Sequence, residues 1–173
     1  MRTHFKKAIF FFFTLIPLLG FSQLSPVFIP NGGQWHENVL HRMEVKNGKI
    51  FMEQDGIKFM FYDDEFFHSL HAGGETDSSF TAHTFKIDFV GCDSSATVVA
   101  KQKGTASYNF YIGKDKTKWV SGIHSSRALV YQNLYPNIDL NVYSTIEGLK
   151  YEFIVFPGGD VSDIKMKIRG ASD

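Results

Sequence analysis

Three histidines, His68, His71 and His83, flank the acidic run Asp63-Asp64-Glu65. Imidazole nitrogens and carboxylate oxygens are zinc-type ligands, so this segment is a candidate metal site. No second ligand pair fixes a geometry, and a solvated polar loop accounts for the same residues. Asp88, Asp139 and Glu152 fall on expected strands, and two facing carboxylates are what glycoside hydrolysis requires. Spacing alone cannot set two of them across a cleft, and solvent-facing positions are their default reading. Tyr108, Phe110, Tyr111 and Trp119 cluster near Lys114, Lys116 and Lys118. Such aromatics can stack on sugar rings, with Trp119, Tyr108 and Tyr111 the candidate binding residues, although packing of a pleated face is their default use.

Other chemistries lack their residues. The chain has no Gly-x-Ser-x-Gly elbow, His-Glu-x-x-His pair, phosphate-binding Gly-Lys-Ser/Thr loop or EF-hand pattern. Cys92 is the lone cysteine, between Gly91 and Asp93. A neighbouring anion raises a thiol pKa, so Cys92 reads as a small hydrophobe at a strand end rather than a nucleophile. No catalytic residue and no cofactor is assigned.

These residues need elements to hold them, and the sequence supplies mostly strands. Period-two alternation marks 39–45, 50–53, 57–62, 83–90, 97–100, 106–112, 128–132, 138–143, 149–156 and 164–168. Asn47-Gly48 and Asp55-Gly56 predict tight hairpin turns. Tyr135-Pro136-Asn137, Glu147-Gly148 and Pro157-Gly158-Gly159-Asp160 punctuate the last third. The stretch 63–81 predicts a mobile loop with one short helical turn. No stretch holds apolar residues at helical spacing for ten or more residues, and there is no internal repeat. An all-β, antiparallel, sandwich-like domain follows.

The chain has 173 residues with 18 cationic and 18 anionic side chains. That balance argues against a nucleic-acid partner, which needs a basic excess, and one cysteine cannot form an internal disulfide. Arg2, Lys6 and Lys7 precede a 14-residue apolar run from Ala8 to Phe21, and Gly20 and Ser22 stand three and one positions before Gln23. This is a signal-peptide pattern over 1–22, too short for a spanning helix and interrupted by Pro17. The expected exported part, 23–173, carries 15 cations and 18 anions, net −3, and has no membrane span. At about 150 residues it is large enough to fold without a metal or a disulfide.

Four ordered motifs are less generic. They are Asn31-Gly32-Gly33-Gln34-Trp35 with Asn38-Val39, Tyr108-Asn109-Phe110-Tyr111-Ile112-Gly113 with Trp119, Val130-Tyr131 through Tyr135-Pro136-Asn137-Ile138-Asp139-Leu140, and Leu149 to Asp160 including Tyr151. From about Phe28 to Gly170 the chain resembles the N-terminal domain of unknown function of secreted Bacteroidota proteins carrying SBBP propeller repeats. Asn137 stands where that family usually has Gly, and Gly159 where it usually has Ala.

The resemblance implies a β-rich module beginning a larger exported or cell-surface protein, often followed by propeller repeats, immunoglobulin-like domains and a type IX sorting signal. It implies no catalytic residues. It also implies continuation past Asp173, which would leave the last strands with an open edge. The expected function is a non-enzymatic structural or interaction module. Its expected partners are downstream domains, a cell-surface protein or a polysaccharide. Carbohydrate binding through exposed aromatics is the rival, and a glycoside hydrolase-like domain the third reading.

Overall fold

A computed structural model describes residues 26–62 and 81–171. The expected signal peptide, the run Asp63-Asp64-Glu65 and nearly all of the expected loop 63–81 lie outside the described residues. Ten strands follow in chain order: β1 (Phe28–Pro30), β2 (Val39–Val45), β3 (Gly48–Glu53), β4 (Gly56–Tyr62), β5 (Ala82–Phe89), β6 (Thr97–Phe110), β7 (Val120–Tyr135), β8 (Ile138–Thr145), β9 (Gly148–Val155) and β10 (Met166–Arg169). Two short 3-10 turns, Lys116–Lys118 and Val161–Asp163, are the only helical elements among the described residues.

The expected all-β, antiparallel character is present, but the two layers of a sandwich are not separate sheets. All ten strands join one sheet in the order β10-β5-β4-β3-β2-β1-β7-β8-β9, with β6 paired to β7. The junction is β7. Ser126 pairs with Phe28 of β1 and Lys103 of β6, and Ala128 pairs with Tyr143 of β8 and Lys101 of β6. β1 and β8 therefore share one edge of this long strand, and β6 occupies the other.

The sheet curls around one core. Met43, Met52, Ile57 and Phe89 from the β2–β5 half meet Leu129, Tyr131, Leu134, Leu140 and Val142 from β7 and β8. Ile138, Leu140 and Val142 share the buried face, as their period-two spacing predicts. Polar pins cross between the halves. The Tyr131 hydroxyl donates to the Glu53 carbonyl at 3.0 Å, and the Tyr131 ring meets Phe89 edge-on at 6.0 Å. Gln54 Nε2 donates to Ala96 O at 2.7 Å. Burial pushes the Tyr131 phenol above its ordinary pKa, keeping it a neutral donor.

The hairpins shift by one residue from the sequence expectation. Val45 pairs with Gly48 and Glu53 with Gly56, so Lys46-Asn47 and Gln54-Asp55 are the turn residues and each glycine opens the next strand. Asn47 takes the positive φ, 56°. What Gly48 supplies is room, because a Cβ there would lie 2.4 Å from the Met60 carbonyl oxygen.

Three strand assignments also change. β1, only three residues long, gave no periodic signal, although Phe28 and Ile29 are buried. The stretches expected at 97–100 and 106–112 are one strand, β6, with a register shift between Lys103 and Ser107. Residues 101–107 are mostly exposed, so they carry no alternation to read. β7 begins at Val120, eight residues before the expectation, again through a polar stretch. β10 pairs with β5, yet Met166 and Ile168 are 42% and 60% exposed, so the expected resumption of a buried period after Ile164 does not occur.

Candidate ligand-binding surface

Most recognisable motif residues are spent on loops and bulges. Asn31 organises the segment between β1 and β2. Its Nδ2 donates to His36 O at 2.9 Å and Val39 O at 2.8 Å, and its Oδ1 accepts from Gly33 N at 3.0 Å and Trp35 N at 3.2 Å. Gln34 Nε2 donates to Pro30 O, and its Oε1 accepts from Gly32 N. Gly33 has φ 112°, open to glycine at little cost, and a Cβ on Gly32 would lie 2.8 Å from Val120 Cγ1.

Asp139 accepts from Asn133 N at 2.8 Å, where β7 is irregular and Asn133 has φ 51°. Asp160 accepts from Ser162 N at the start of the second 3-10 turn. The turns after Tyr135 and Pro157 pack together. Asn137 at φ 55° places its carbonyl to accept from Phe156 N at 2.9 Å, and a Cβ on Gly159 would lie 2.8 Å from that oxygen. Gly158 lies against the Asn137 side chain, Pro136 lines a shallow pocket with the residues before β10, and Tyr135 donates its hydroxyl to Lys165 O at 3.0 Å. Tyr151 is 43% exposed and meets Phe153 edge-on.

The other sequence candidates do not come together. His68 and His71 lie outside the described residues, and His83 is exposed on β5. Among the described residues no group of three or more His, Cys, Asp or Glu could hold a metal ion. Asp88 pairs with Arg169, whose hydrogen bond holds the Asp88 carboxyl below its ordinary pKa. Asp139 serves Asn133, and Glu152 accepts from Asn141 Nδ2 at 3.3 Å. Cys92 is half-buried against the core; burial, then the Asp55 charge, raises its thiol pKa.

Two of the four aromatics at 108–119, Tyr111 and Trp119, depart from the packing expectation, while Phe110 packs against Trp35. Tyr108 is half-buried, but Tyr111 is 62% and Trp119 38% exposed. The reason is local. β6 ends at Phe110 and β7 begins at Val120, so Tyr111 to Trp119 form the hairpin tip, where no pleated face remains to bury them. Tyr111 and Trp119 meet edge-on at 5.6 Å, Trp119 Nε1 donates to Gly113 O at 3.3 Å, and Lys116 Nζ stands 5.5 Å over the Trp119 ring. Asp115 caps the 3-10 turn by accepting from Thr117 N and Oγ1.

Beside this tip lies an open cleft of about 820 Å³ lined by residues including Asn31, Trp35, Glu37, His41, Gln54 and Lys118. Trp35 packs edge-on against Phe110 at 5.5 Å, with the Arg42 guanidinium 4.1 Å from its ring centroid. His41 is buried with Nδ1 unbonded, and burial lowers its pKa to about 4. Sequence reasoning singled out Trp35 as a motif residue but gave no part to the cleft or to His41. The alternation Val39, His41, Met43 on β2 was the available signal that His41 faces inward.

A family model described as "Domain of unknown function (DUF7948)" matches residues 28–173. No curated protein and no solved structure matches the chain. No described helix is long and apolar enough to cross a membrane.

Proposed function

The chain belongs to this family of domains of unknown function, and on that premise we propose that it is a non-catalytic extracellular interaction module whose contact surface is the β6–β7 tip and adjoining cleft. One observation carries the reading. Polar side chains of the motif turns, Asn31, Gln34, Asp139 and Asp160, are committed to internal bonds, whereas Tyr111, Trp119, Lys114, Lys116 and Lys118 face solvent together. Asp88, Asp139 and Glu152, the carboxylates a hydrolase would need, are each engaged by an internal partner.

Exposure of Tyr111 and Trp119 favours carbohydrate as the ligand class, since flat amphipathic rings beside polar groups suit pyranose faces. The signal-peptide pattern at 1–22 supports export, to the medium or the outer cell surface. The resemblance to N-terminal domains of SBBP-repeat proteins supports a place at the start of a larger type IX-secreted protein, its sheet docking against downstream domains. A glycan array tests the ligand: binding lost in Trp119→Ala with folding retained is expected, and binding indifferent to Trp119 would overturn it. N-terminal sequencing of secreted material tests export, with Gln23 expected at or near the start and a retained Met1 as the contrary result.

A further inference from the structure

Building on the carbohydrate reading, we propose that the tip selects acidic polysaccharides, chains of uronic acids whose rings lie on Tyr111 and Trp119 while their carboxylates meet Lys114, Lys116 and Lys118. The charge is unbalanced where the aromatics are exposed. Residues 111–119 hold three lysines and one acid, Asp115, in a chain with no net charge. The carboxylate of Asp115 is occupied by Thr117, whose hydrogen bonds hold it below its ordinary pKa. Among the described residues none of the three lysines forms an ion pair.

Geometry links charge to ring. Lys116 Nζ lies over the Trp119 ring, and Lys118 lines the cleft with Trp35. A saccharide crossing from tip to cleft thus meets cation and aromatic side by side. Glu37 is the one acid among the cleft-lining residues. Buried His41, with its pKa lowered to about 4, adds no positive charge at neutral pH. An anionic lipid surface would share the charge preference and also accepts Trp and Tyr at its interface, but it would leave the open cleft beside the tip unused.

The test uses the full chain with polygalacturonate and its methyl-esterified form, which keeps the ring and removes the charge. Binding to the acid form, weakened by salt and by about tenfold in the triple variant K114Q/K116Q/K118Q, is expected, because exposed charge pairs each contribute only a few-fold. Circular dichroism checks that the triple variant folds; if it does not, the salt titration of the unaltered chain decides. Equal binding of both forms overturns acid selectivity while leaving the carbohydrate reading standing. Binding of neither form overturns the inference, and the glycan array then judges the broader reading separately. Association with phosphatidylglycerol vesicles but not with polygalacturonate also overturns it, in favour of a lipid.

Discussion

Replacing Asn31 by Ala should destabilise the fold out of proportion to its size. The side chain makes four hydrogen bonds between 2.8 and 3.2 Å, two part-buried and two exposed. At ~1 kcal/mol net for each, with water replacing much of the exposed pair, the loss is about 2–3 kcal/mol. With a urea slope of roughly 2 kcal/mol/M, the midpoint falls by about 1 M at unchanged slope. Urea unfolding followed by circular dichroism reads this directly. Asn141→Ala is the control, since its Nδ2 makes one exposed bond of 3.3 Å, and it should cost under about 0.5 kcal/mol. A midpoint shift for Asn31→Ala no larger than that of the control would refute the claim that this asparagine builds the loop.

Stability should fall as pH drops from about 6.5 toward 4. His41 has its folded pKa lowered to about 4 from 6.5, so the unfolded chain binds the proton first and the stabilisation present above 6.5 is lost through that window, by up to about 3 kcal/mol. His41→Leu should flatten the curve there, as equilibrium unfolding across pH would show. Leu140→Ala, at a fully buried site, should cost ~2–5 kcal/mol in the same assay. Gly48→Ala should cost roughly 1–3 kcal/mol, because its Cβ would press on the Met60 carbonyl. Amides of β10, a four-residue, wholly exposed strand paired only to β5, should exchange faster than those of β7 and β8; equal protection would show that the edge is not the weak point.

Much of the sheet was legible because its buried faces impose the period. Val39 to Val45 and Ile138 to Tyr143 alternate since one side meets the core, and their strands fall where the pattern puts them. The pattern fails where both faces meet water. Residues 101–107 and 120–124 are strand held by cross-strand pairing rather than burial, and pairing leaves no periodic trace in one sequence. Locally the glycines read as φ-permissive turn residues, but Gly48 and Gly56 answer a neighbouring carbonyl, a long-range fact invisible in the local sequence. The site was half legible. Residue types at 108–119 announced aromatic and cationic chemistry, but whether those rings pack or face solvent depends on β6 ending at Phe110. Joining Trp35 to Lys118 across the cleft depends on the folded sheet alone.

The aromatics divide into a buried set that holds the curled sheet together and an exposed pair at the hairpin tip, Tyr111 and Trp119, proposed to meet ligand. Trp35→Phe leaves Trp119 as the sole tryptophan, so acrylamide quenching of its fluorescence reads that division directly. The account predicts ready quenching in the free protein and clear protection when a bound glycan covers the ring. Quenching as weak as for a core tryptophan, or unchanged by every glycan tried, would contradict it.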